Sequence, residues 1–263
     1  MKWLWFVLLW LSACCYPALP RSPFDGTWKI DLSKTVQPAK PDVYLLKEGK
    51  FQCPTCDPAI SVKADGTDRQ IAGSPCYDTV NIKVLSEWAI EETDKRKGKP
   101  VRTLRIEVSR NNDEANFNLT DMCNKNSDPV SARWLAKRVA EAPAGAHAVS
   151  GSWRTIKQES ASENALLVTL RLVNNTFSFM DPTGQSYSAK LDGTYAPFAG
   201  GVDNTVVSVR QMGTNSIEET DLKDGKAFRR TVFTVAADGK TMNAAITDLV
   251  QNNTIRFFLN KQQ

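Results

Sequence analysis

The run Ile90-Glu91-Glu92-Thr93-Asp94 recurs unchanged as Ile217-Glu218-Glu219-Thr220-Asp221. Working outward at the same displacement, Asp65-Gly66-Thr67 meets Asp192-Gly193-Thr194 and Ala72-Gly73 meets Ala199-Gly200. Gly98-Lys99 then meets Gly225-Lys226, Arg102 meets Arg229, Val108 meets Val235, and Thr120-Asp121 meets Thr247-Asp248. At a slightly shorter displacement Gly26-Thr27-Trp28 answers Gly151-Ser152-Trp153. Matches of this density in one register predict a tandem duplication, one supersecondary unit written twice. The expected organisation is a leader and short tether over 1–21, a first repeat over 22–141, a linker over 142–147 and a second repeat over 148–263.

Both copies read as β-structure. Val80, Ile82 and Val84 alternate with polar residues, as do Leu104, Ile106 and Val108; Val207, Val209, Phe233 and Val235 answer them in the second copy. Period two is the signature of a strand with one buried face. Asp224-Gly225 and Asp238-Gly239 supply the positive φ that tight hairpin turns require. Asp128-Pro129 followed by Val130–Ala142 looks locally like a capped helix. Its counterpart Thr254-Ile255-Arg256-Phe257-Phe258 is β-branched and aromatic, so Ala132–Val139 is predicted to be the closing strand of the first copy. About eight or nine short strands per copy must close on themselves to protect their edges.

A unit that opens with Gly-x-Trp and closes with an arginine-bearing strand resembles the lipocalin-like (calycin) barrels. The whole chain after the leader is similar to a group of exported, duplicated lipocalin-like proteins of soil bacteria. The resemblance implies an all-β fold of two tandem antiparallel barrels or flattened barrels. It also implies that Trp28 lies under Arg133, and Trp153 under Arg256, at the closed barrel ends. Each pair would be a structural cation–π contact of roughly 0.5–2 kcal/mol.

The N-terminus predicts export. Lys2 precedes an apolar run from Trp3 to Leu11, too short to span a bilayer but suited to a signal segment. Leu11-Ser12-Ala13-Cys14 resembles a bacterial lipobox, which makes Cys14 the expected lipid anchor. The expected location is the outer membrane as a lipoprotein, or the periplasm or exterior as a soluble product. Beyond Cys14 and its neighbour Cys15, the four cysteines Cys53, Cys56, Cys76 and Cys123 then favour two disulfides over a redox pair or a zinc site. Three pairings are open, of which Cys53–Cys56 with Cys76–Cys123 is favoured.

Composition narrows the function. A formal net charge of +4 over 263 residues gives no electrostatic case for nucleic acid. The one histidine, His147, sits in the interdomain joint without the partners that nucleophilic catalysis needs. No glycine-rich phosphate loop is present. Adjacent strand residues face opposite ways, so Glu91 and Glu92 do not line one site, and the acidic run reads as a solvated hairpin approach. The basic strand residues Arg102–Arg105 and Phe228-Arg229-Arg230 read as a solvated sheet face, the alternative being a face for an anionic ligand or envelope polymer. The expected function is non-enzymatic binding of a small apolar molecule in one or both barrels, without metal or cofactor. The alternatives are a structural or interaction module at the envelope with filled barrels and, last, a lipocalin-like isomerase or hydrolase.

Overall fold

The computed structural model describes residues 22–74, 76–123, 128–200 and 204–263. The expected leader and Cys14 lie outside them. Twenty strands are described in chain order. The first half carries β1 (Gly26–Val36), β2 (Asp42–Lys47), β3 (Lys50–Cys53), β4 (Ile60–Lys63), β5 (Arg69–Gln70), β6 (Thr79–Ser86), β7 (Ala89–Arg96), β8 (Lys99–Val108), β9 (Glu114–Asp121) and β10 (Val130–Ala140). The second half carries β11 (Gly151–Ala161), β12 (Leu167–Val173), β13 (Thr176–Met180), β14 (Ser186–Lys190), β15 (Asp192–Pro197), β16 (Thr205–Gly213), β17 (Ser216–Lys223), β18 (Lys226–Val235), β19 (Thr241–Asp248) and β20 (Asn253–Lys261). The helix-like segment after Asp128 is indeed strand, since its alternate residues Trp134, Ala136 and Arg138 turn into a core.

The strands form two antiparallel, nearly closed barrels of ten strands each. Their orders are β4-β3-β2-β11-β10-β9-β8-β7-β6-β5 and β14-β13-β12-β1-β20-β19-β18-β17-β16-β15. The two orders correspond strand for strand except at one place: β1 and β11 have changed barrels. β1 lies between β12 and β20, with Thr27 opposite Thr169 and Ile30 opposite Leu259. β11 lies between β2 and β10, with Gly151 opposite Tyr44 and Lys157 opposite Leu135. The repeats at 22–141 and 148–263 are therefore not the units that close; each barrel takes its first strand from the other half. Pro38 and Pro41, in the segment between β1 and β2, lack the N–H groups that a hairpin ladder would use there.

The packing repeats the exchange. Phe24 and Trp28 are fully buried in the core of the second barrel, with Leu170, Phe177, Phe233 and Leu259. Val149 and Trp153 are buried in the core of the first, with Phe51, Ile106 and Phe117. Each indole N–H donates to a backbone carbonyl four residues upstream, Trp28 to Phe24 at 2.8 Å and Trp153 to Val149 at 2.9 Å.

The cations over these indoles are not the expected ones. The Arg138 guanidinium lies 4.1 Å from the Trp153 ring centre and Lys261 Nζ lies 4.8 Å from that of Trp28. Arg133 and Arg256 point outward and are exposed. On a strand only alternate residues face inward, and Arg138 and Lys261, at the ends of β10 and β20, are the positions that reach the indoles. Gly151 is required by this arrangement. Its φ is +125°, and a Cβ there would stand 2.6 Å from Arg138 Nη1 and 2.8 Å from the Ala140 carbonyl oxygen.

Candidate functional site: a buried charge cluster behind the mouth of the second barrel

Two carboxylates of the acidic run that repeats in the two halves are buried in each copy, not solvated. Residues two apart on a strand share a face, so Glu92 and Asp94 turn inward together, as do Glu219 and Asp221. Asp94 and Asp221 are fully buried. What makes the burial tolerable is an arginine directly across the ladder: Arg102 opposite Asp94 and Arg229 opposite Asp221. The two arginines expected on a solvated face are thus the counterions of the cores. Arg102 Nη1 lies 3.1 Å from Asp94 Oδ2 and 3.4 Å from Glu92 Oε1. Arg229 Nε lies 2.5 Å from Asp221 Oδ2. In the second barrel the Tyr187 hydroxyl completes the cluster by donating to Glu219 Oε2.

Each cluster holds more carboxylates than arginines. Burial is the first cause that raises Glu219 to about 8, and the Asp221 charge beside it is the second. Glu92 is raised to about 7 for the same two reasons, burial and Asp94. Burial also raises Asp94, against the pull of Arg102. For the arginines burial disfavours the charge, and the paired carboxylates outweigh it, so both are raised. Asp94 Oδ1 and Asp221 Oδ1 are buried without a partner among the described N–H and O–H donors. A proton held on the neighbouring glutamate is the donor each pair can supply for itself. Tyr44 and Tyr187 are raised well above the usual phenol range, first by burial and next by a neighbouring carboxylate, Asp42 and Glu219 respectively.

The second barrel opens beside its cluster. A cavity of about 620 Å³ is walled on the barrel side by Phe228, Arg229, Ile246, Asp248 and Ile255. Arg229, Ile246, Asp248 and Ile255 belong to the same alternating faces as the buried Phe233, Met242, Ala244 and Leu259, so this is the mouth of the barrel interior. Its roof comes from the first half: Pro38, Pro41, Asp42, Val43 and Asp57. Most of the roof is the crossover from β1 into the start of β2, and it lies over this mouth because β1 belongs to this barrel. Lys40 Nζ donates to the Gln251 carbonyl at 2.6 Å, and Gln251 Nε2 to the Thr55 carbonyl at 2.8 Å. Thr55 Oγ1 in turn accepts the Val43 N–H at 2.9 Å.

One disulfide supports that roof. Cys53 and Cys56 are bonded to each other and bracket Thr55, and Cys76 is bonded to Cys123, with Cα separations of 5.4 and 5.5 Å. His147 serves the joint: its Nδ1 accepts the Val149 N–H at 3.2 Å, which leaves Nε2–H to donate to the Ser86 carbonyl at 2.7 Å. Among the described residues no group of three or more His, Cys, Asp or Glu side chains is placed to hold a metal ion.

Sequence reasoning singled out Glu92, Asp94, Arg102, Glu219, Asp221 and Arg229 but read them as solvated, and it missed Tyr187 altogether. The available signal was identity between copies at both the acidic run and the arginine, combined with the two-residue spacing of the inward carboxylates.

The fold and site define a two-barrel antiparallel β-protein with a buried charge cluster in each barrel and a roofed mouth on the second. No protein-family model matches the chain, and no curated protein matches it.

Proposed function

We propose that this chain is an exported, duplicated lipocalin-like protein that binds a small, largely apolar molecule in the mouth of its second barrel, without chemistry. The observation that carries the reading is the cavity itself. Its volume of about 620 Å³ lies within the range of small-molecule sites, and its walls combine Ile246, Ile255, Phe228, Val43, Pro38 and Pro41 with a few polar groups. The two disulfides favour an oxidising compartment, in keeping with export by the leader and attachment through Cys14. The matching strand orders and the paired acidic clusters support duplication.

The buried Glu219–Asp221 pair has one property of a hydrolase or isomerase site, a carboxyl raised toward neutral pH. Neither carboxylate lines the cavity, and the side chain that does is Arg229. The pair therefore holds the arginine in place and meets no ligand, which is why binding is the better reading.

The test is titration of the protein with N-phenyl-1-naphthylamine, a neutral apolar fluorophore. Saturable enhancement is expected, with loss of binding in Ile255→Trp, whose added ring fills the mouth. Enhancement that is absent, or unchanged in Ile255→Trp while the variant keeps its folded β spectrum, would overturn the assignment.

A further inference from the structure

We infer that the ligand of this mouth carries a cationic head group, an amine or ammonium, on its apolar body; the inference rests on the binding reading above. Three carboxylates border the cavity: Asp42 and Asp57 from the roof and Asp248 from the barrel wall. Two cations border it, Arg229 and Lys40. Each already has an acceptor within the protein. Arg229 gives its Nε–H to Asp221, whose carboxylate meets no other cation among the described residues, and Lys40 is drawn to the Gln251 carbonyl on the rim. Taking Arg229 with Asp221 as one neutral unit leaves the three carboxylates facing Lys40 alone, an excess of negative charge.

Asp42 is the residue to which the head group is assigned. Unlike Asp248, whose Oδ1 accepts the Val250 and Gln251 N–H groups at 2.8 Å each, the Asp42 carboxylate has no hydrogen bond or ion pair among the described residues. Asp42 is exposed at the edge of the cavity, and the protein packed against its inner side raises its carboxyl above the usual range. An anion in that position lacks a partner, and a cation brought in on an apolar body supplies one in a partly desolvated setting, where charge-assisted hydrogen bonds are strongest. An anionic ligand would meet an excess of like charge, and a neutral one would leave Asp42 as it is. Ile246, Ile255, Phe228 and Val43 then cover the body of the ligand.

Three probes with one naphthalene body separate the possibilities: 1-naphthylmethylamine, 1-naphthalenemethanol and 1-naphthoate, each titrated calorimetrically into the full chain at neutral pH. The amine is expected to bind about tenfold more tightly than the alcohol, a factor that corresponds to about 1.4 kcal/mol, with the carboxylate weakest. Asp42→Asn is expected to bring amine and alcohol to within about twofold, and because Asp42 holds no structural hydrogen bond the variant keeps its fold. Raising the salt concentration should weaken the amine and leave the alcohol unchanged. Binding of the alcohol or carboxylate as tight as that of the amine overturns the head-group assignment and leaves the cavity reading standing. Failure of all three to bind overturns both.

Discussion

Lys261 stands over Trp28, its Nζ 4.8 Å from the centre of the indole, so the last strand of the chain seals the barrel around the first. Arg138 does the same for Trp153 in the other barrel at 4.1 Å, but with far more bonds. Arg138 donates to the carbonyls of Asn112, Ala148 and Ser150 and to Asn112 Oδ1, whereas Lys261 adds one bond, to the Pro23 carbonyl at 3.0 Å. Arg138→Ala leaves buried carbonyls without donors and is expected to cost about 3 kcal/mol or more, while Lys261→Ala costs about 1 kcal/mol. Urea unfolding of the two variants checks the ranking; equal losses would contradict the bonding pattern.

The buried glutamates make stability fall as pH rises. In the unfolded chain Glu219 titrates near its ordinary 4.5, and in the folded chain near 8. Between those values the folded state holds a proton that the unfolded state has released, so the unfolding free energy decreases with pH and levels off above about 8. Glu92 adds to the same trend up to about 7. Glu219→Gln removes one of these protons from the balance. Its unfolding midpoint, followed from pH 5 to 8, is expected to decline less steeply than that of the parent. A parallel decline in both proteins would place the proton elsewhere.

The two disulfides differ in what they constrain. Cys76–Cys123 closes a span of 47 residues and Cys53–Cys56 one of 3. By chain entropy the long loop is worth about 4 kcal/mol and the short one about 2. The double serine variant at 76 and 123 should therefore unfold at clearly lower urea than the one at 53 and 56. The latter loosens the turn around Thr55 that supports the roof, so it is expected to weaken probe binding more than stability. Reversal of either order would contradict these roles.

Strand character was legible along nearly the whole chain, because alternation at Val80–Ile82–Val84 or Phe233–Val235 is a local property that the barrel only has to accept. Even the closing strand at 132–139, helical by local signals, could be read from its counterpart near 254. The charge cluster was less accessible. The run of acidic residues looks solvated until Arg102 and Arg229 are set across the ladder from it, and that pairing depends on strand register. Comparing neighbours Glu91 and Glu92 conceals what Glu92 and Asp94 share, which is a face. The indole cations were hidden differently: a search for arginine common to both copies finds Arg133 and Arg256, whereas the groups that reach the rings are an arginine in one barrel and a lysine in the other. The exchange of β1 and β11 could not be read at all. Two copies of one unit offer the first strand equivalent neighbours in either barrel, and the choice between them lies in the crossover, not in the strand.

The exchange underlies the account, since it lays residues 38–43 over the mouth of the second barrel and so forms the site. In the observed register Thr27 lies opposite Thr169, with their hydroxyls 3.0 Å apart. Were β1 to remain in its own half, the register of β11 against β2 would carry over and Thr27 would lie opposite Val43, the residue that faces Ser152 in the observed fold. The decisive measurement is peptide mapping by mass spectrometry of two oxidised double variants, Thr27→Cys with Thr169→Cys and Thr27→Cys with Val43→Cys. The exchanged fold predicts an intramolecular 27–169 crosslink and no 27–43 crosslink. A 27–43 crosslink in the monomer, with 27–169 absent, would contradict it.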